Sequence, residues 1–91
     1  MVRASAPPPT DEYTLLWQAR TRLKRDPAGA LAILEENAER FERMQLAPER
    51  EVLAVEALRA LGRKDEADRR LRAFRARYPG SIHLRRLQQG Q

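Results

Sequence analysis

Ninety-one residues, 42% of them hydrophobic and 34% charged, are the length of one domain with a modest core. The absence of Cys excludes disulfides, thiolate catalysis and zinc–thiolate sites. The net charge of +5 is uneven: residues 1–58 carry −2 and residues 59–91 carry +7, so the basic character that bears on partners lies in the last third.

Residues 1–10, MVRASAPPPT, read as a flexible Pro-rich linker. Three consecutive prolines favour an extended polyproline form, and the segment has no apolar centre of the kind a signal peptide needs. No apolar run approaches the ~20 residues that span a bilayer. The domain proper is expected over residues 11–89.

Thr10 or Asp11 can cap a first helix, in which Tyr13, Leu16, Trp17 and Leu23 recur near helical spacing and Leu15 and Ala19 widen the stripe. A core role is expected for Tyr13 and Trp17, because the stripe carries them, with the lining of a ligand groove as the alternative. Asp26-Pro27 ends this helix and caps the next, predicted over residues 27–41 with Ala30, Leu31, Ile33, Leu34, Ala38 and Phe41 on its apolar face. Pro48 opens a third helix that Gly62 closes, with Leu53, Ala54, Val55, Ala57, Leu58 and Leu61 as its apolar positions. A fourth is predicted over residues 64–78, where Ala67, Leu71, Phe74 and Tyr78 form one narrow stripe and Pro79-Gly80 is the stop. Ser81 can cap a short fifth helix bearing Ile82, Leu84 and Leu87. The acid-before-base spacings Glu36/Arg40, Glu39/Arg43, Asp65/Arg69, Glu66/Arg70 and Asp68/Arg72 predict pairs along the second and fourth helices.

A shift of 37 residues aligns the two halves: Ala30 falls on Ala67, Leu34 on Leu71, Phe41 on Tyr78, Leu16 on Leu53 and Trp17 on Ala54. Self-similarity at this period indicates stacked helical hairpins. With Ala67, Leu71 and Pro79 at the family's small, bulky and closing positions, and Ala30 and Leu34 repeating the first two, the chain resembles tetratricopeptide repeats. Glu42 stands where the first repeat would close on proline, and Glu51, Ala54, Val55 and Leu58 stand where the family prefers Trp, Leu, Gly and Tyr. The phrasing DPAGALAILEENAERF and RARYPGSIHLRRL is also similar to small C-terminal repeat domains of deltaproteobacterial regulatory and envelope proteins. The resemblance implies an all-α fold of two antiparallel hairpins in a right-handed stack, closed by a short capping helix. The compartment, cytoplasmic or periplasmic, would then follow from whatever chain precedes the linker.

No pattern of catalytic chemistry emerges, and no cofactor or metal site is expected. His83 is the only histidine, Ser5 and Ser81 lie in a linker and at a cap, and the four glycines are scattered. Glu35, Glu36, Glu39 and Glu42 read as a solvated face. The resemblance implies a protein-interaction module whose first helices line a groove for a partner peptide or helix, with Gln18, Thr21, Arg22, Arg50, Glu51 and Arg59 as candidate contacts. Two hairpins leave stacking faces that a second copy could cover, so a homodimer is one expectation. The alternative is nucleic-acid or anionic-surface binding through Arg69, Arg70, Arg72, Arg75 and Arg77. The rings near this set, Phe74 and Tyr78, fall on the buried stripe and so are not available to stack on bases.

Overall fold

The helix at Ala47–Ala60 is buried along most of its length, and the other helices pack against it. The computed structural model describes residues 12–43 and 46–89; the predicted linker and the first cap at Thr10 or Asp11 lie outside them. Six helices follow in order: α1 (Glu12–Arg22), α2 (Pro27–Glu36), α3 (Ala38–Arg43), α4 (Ala47–Ala60), α5 (Lys64–Arg77) and α6 (Ile82–Gln89). The described residues are all-α. α1 pairs with α2, α4 pairs with α5, α2 packs on α4 to join the two hairpins, and α6 rests on α4 and α5.

Local chemistry sets most boundaries. Asp26 Oδ1 accepts the Gly29 N–H at 2.9 Å, capping α2 with Pro27 in its first turn. Ser81 Oγ accepts the His83 N–H at 3.1 Å at the start of α6. α4 ends in a double closure. Gly62 takes φ +78°, its N–H donates to Arg59 O at 3.0 Å, and Arg63 N–H donates to Leu58 O at 2.9 Å. Nothing lies within 4 Å of a Cβ built on Gly62, so the demand there is purely on the backbone. Gly62→Ala is expected to cost about 1–2 kcal/mol of unfolding free energy, read as a lowered urea midpoint at unchanged slope.

The predicted helix over residues 27–41 is broken at Asn37, which separates α2 from α3. The Asn37 side chain donates to Ile33 O at 2.7 Å, taking the acceptor that its own backbone N–H would use in a continuous helix. The chain restarts when Arg40 and Phe41 donate to Asn37 O at 3.0 and 3.2 Å. Phe41 is thereby delivered fully buried beneath α4.

The core has two lobes with α4 between them. Leu15, Ala19, Ala30, Leu34, Phe41, Leu46, Leu53 and Ala54 form the first. Val52, Val55, Leu58, Ala67, Leu71, Phe74 and Leu87 form the second, and Leu31 touches both. The paired repeat positions do equivalent work: Ala30 and Ala67 are fully covered and let the helices approach closely, while Leu34 and Leu71 fill the space beside them. The equivalence fails at Trp17 and Ala54, since Ala54 is buried and Trp17 is 65% exposed.

Tyr13 and Trp17 are therefore not core residues, against the expectation from spacing. The buried side of α1 is Leu15 and Ala19, one turn apart. Trp17 stands two residues beyond Leu15, which rotates it roughly 200° about the helix axis. Tyr13 lies on the same outer side and is likewise 65% exposed.

Candidate functional site

Tyr13 and Trp17 form one wall of an open groove of about 240 Å³. Leu16 and Arg20 complete the α1 side, Glu49, Val52 and Leu53 come from α4, and His83 and Arg86 from α6. Three helices distant in sequence thus make one site: α1 and α4 are the first helices of their hairpins, and α6 is the closing helix. The rings stand one helical turn apart, and the aliphatic groups of Val52 and Leu53 lie between α1 and α6. On the polar edge His83 Nε2 lies 3.5 Å from Glu49 Oε2, and Arg86 Nη2 forms an ion pair with Glu56 Oε2 at 3.0 Å. The second oxygens of Glu49 and Glu56 are buried without a hydrogen-bond partner. Ile82, on the adjoining turn of α6, is 86% exposed.

The residues singled out from sequence fall in three places. Gln18, Thr21 and Arg22 are exposed on α1, where Thr21 Oγ1 donates to Gln18 O at 3.0 Å. Arg50 and Glu51 are drawn into an ionic network with Glu35 and Arg70. Arg50 donates to Glu35 Oε2 at 3.1 Å and to Glu51 Oε1 at 3.2 Å. Arg70 forks onto Glu51 through Nε at 3.1 Å and Nη2 at 2.7 Å, and its Nη1 bonds Glu35 Oε1. The network ties α2, α4 and α5 together and leaves Arg50 only 9% exposed. Arg59 is half-buried and sits at the end of α4, away from the aromatic groove.

Of the predicted basic face, Arg69, Arg72, Arg75 and Arg77 are exposed, while Arg70 is half-buried in the network. Arg77 lies over the Tyr78 ring, 5.3 Å from its centre. The predicted pairs along α5 do not close. Arg70 goes to Glu35 and Glu51 instead of Glu66, and Glu66 pairs with Arg63. Asp65/Arg69 and Asp68/Arg72 form no ion pair among the described residues. On α3, Arg40 reaches back 3.7 Å to Glu12 on α1.

Within the network, burial pushes the Glu35 carboxyl up, but the hydrogen bond and charge of Arg70, reinforced by Arg50, outweigh it and hold Glu35 below the ordinary carboxylate value. For Arg70, burial pulls down while Glu51 and Glu35 pull up and prevail, so its guanidinium is held protonated more firmly than usual. Because the folded value of Glu35 is depressed, its stabilisation is complete above the unfolded value of 4.5 and is lost as pH falls through the folded value. Glu35→Gln should therefore lower the urea midpoint at pH 7, and the gap to the parent should close in acid. The Glu35 side chain is 43% exposed, so solvent screening limits the effect to about 1 kcal/mol or less.

Among the described residues no group of three His, Cys, Asp or Glu side chains converges as a metal site, and no helix is long and apolar enough to cross a membrane.

Residues 53–81 match the family model described as Tetratricopeptide repeat. The stretch runs from the body of α4 through α5 to the turn after Pro79. The stack of helical hairpins is tetratricopeptide-like. No curated protein and no solved structure matches the chain. The matched segment carries Ala67, Leu71 and Pro79 but, of the nine residues that line the aromatic groove, only Leu53; Tyr13 and Trp17 lie before it. A matching repeat of this kind points to a protein-interaction module.

The groove was only partly legible beforehand. Leu15/Ala19 and Tyr13/Trp17 are each spaced by one turn, so the two pairs were visible on opposite sides of α1, but not which of them is buried. Glu49 and His83 carry no such signal, because their meeting depends on how α6 folds back over α4.

Proposed function

We propose that the chain is a non-catalytic interaction module of the tetratricopeptide type. A partner peptide or helix, or a second copy of the chain, lays apolar side chains into the groove between α1, α4 and α6. The observation that carries this reading is the pair of large rings, Tyr13 and Trp17, each 65% exposed one turn apart beside an aliphatic floor. Exposed aromatics next to a pocket are typical anchors of protein interfaces. Gln18, Thr21 and Arg22 continue the exposed side of α1 and supply polar contacts at its rim. Ile82 extends the apolar area past α6 and favours an occupant longer than the groove itself.

Trp17 is the only tryptophan, so its emission reads the groove directly. Peptides selected from a displayed random library should shift Trp17 emission to the blue on binding and compete with one another. A blue shift that grows with protein concentration, matched by light scattering, would assign the groove to a second copy. The proposal fails if every selected peptide leaves the emission unchanged and the chain stays monomeric with Trp17 exposed at all concentrations.

A further inference from the structure

A second, larger groove of about 780 Å³ lies where the end of α4 meets α5. Arg59 comes from α4, while Lys64, Asp68, Arg72 and Arg75 line the α5 side over Leu71. These α5 positions recur every three or four residues and so share one face of the helix. At 1.5 Å per residue, Lys64 and Arg75 stand about 16 Å apart along the axis. Four cations thus face one carboxylate in a single furrow.

Two further observations separate this furrow from a merely solvated surface. Arg50, Arg63, Arg70 and Arg86 are neutralised within the fold by Glu35, Glu51, Glu56 and Glu66. Among the described residues no such partner reaches Arg59, Lys64, Arg72 or Arg75, even though Asp68 stands at helical spacing from Arg72. In addition, Arg59 Nη2 is buried with no hydrogen-bond acceptor. A buried charged donor without an acceptor is costly, and an acceptor arriving from outside relieves that cost.

We propose that this furrow is a second docking site, separate from the aromatic groove, for an acidic segment of a partner protein. Carboxylates spaced along the segment would bond Arg72 and Arg75, which lie one turn apart, and would supply the acceptor that Arg59 lacks. Lys64 neutralises the far end, and Leu71 closes the floor between the charges. A nucleic-acid strand suits the furrow less well. Asp68 would repel a continuous run of phosphates, and no ring lines it for a base to stack on.

The test uses the full chain and a fluorescein-labelled peptide of Glu, Leu and Ala, followed by anisotropy at low and physiological salt. A counterpart with Lys for Glu, and single-stranded and duplex DNA oligonucleotides, serve as rival ligands. The acidic peptide should bind, the Lys peptide should not, and neither DNA should bind more tightly than the acidic peptide. Arg72→Glu with Arg75→Glu should weaken the peptide about tenfold or more, whereas the same charge change at exposed Arg69 and Arg85 should cost less than about threefold. Arg72→Gln with Arg75→Gln should weaken it in the same direction and serves if the reversed variant does not fold. Trp17→Ala should leave this affinity unchanged, which keeps the outcome independent of the aromatic groove. Absence of peptide binding, equal loss from the Arg69/Arg85 variant, or tighter binding of DNA would overturn the proposal.

Discussion

Phe74→Ala is expected to destabilise the chain by about 3–5 kcal/mol, enough to remove much of the roughly 5–10 kcal/mol that holds together a domain of this length. Phe74 is 2% exposed and belongs to the lobe in which α4, α5 and α6 meet. Its ring lies 5.1 Å from that of Tyr78 at a 52° tilt, so truncation removes an aromatic pair together with the core volume. Val55, Leu58 and Leu87 are held by helix backbones and cannot all collapse into the cavity left behind. Urea unfolding followed by far-UV circular dichroism should show a much lower midpoint. Phe74→Leu, which keeps most of the volume, should lose less than about 1.5 kcal/mol. Equal losses in the two variants would mean that the lobe tolerates the cavity and that its packing has been misjudged.

Trp17→Ala should behave in the opposite way. At 65% exposure the ring contributes little to folding, so stability should change by no more than about 0.5 kcal/mol. Binding to a groove ligand should weaken by about 2 kcal/mol or more, a factor of about 30 in Kd. Tyr13→Ala should act in the same direction with a smaller loss, because its ring offers less area. Glu36→Ala, an exposed change on α2 outside the groove, should leave Kd unaltered. Titration calorimetry with a selected peptide, alongside urea unfolding of each variant, separates the two effects. A Trp17→Ala protein that unfolds early while retaining its affinity would contradict both the structural placement and the assigned role.

The comparison of these two aromatics shows what could be read in advance. Phe74 lies on a stripe with Ala67 and Leu71 on a helix whose other positions are charged apart from Ala73 and Ala76, so only one face offered large apolar groups for burial. Trp17 lies among Leu15, Leu16 and Ala19, where apolar residues occupy more than half the circumference and periodicity alone does not choose the buried arc. The break at Asn37 belongs between these cases. Asn competes with the backbone for hydrogen bonds, but whether it interrupts a helix depends on whether the next segment gains by turning, and here Phe41 gains full burial.

The sequence by itself determined the all-helical class, the stops at Asp26-Pro27, Gly62 and Pro79, and the twofold repeat of Ala30/Leu34 in Ala67/Leu71. Each depends on interactions within a few residues: a fixed φ, a missing N–H, a cap or a helical turn. Tertiary structure alone decided which faces had neighbours and which charges had partners. Arg70 abandons Glu66, four residues away, for Glu35, 35 residues away, because α2 and α5 both pack beside α4 and bring those groups together. Arg72 and Arg75 share the same helix, yet among the described residues no acid from another element reaches them. The same packing leaves Tyr13 and Trp17 facing outward across from Val52, Leu53 and His83. Local spacing specifies the helices, whereas burial and charge neutralisation are properties of the stack.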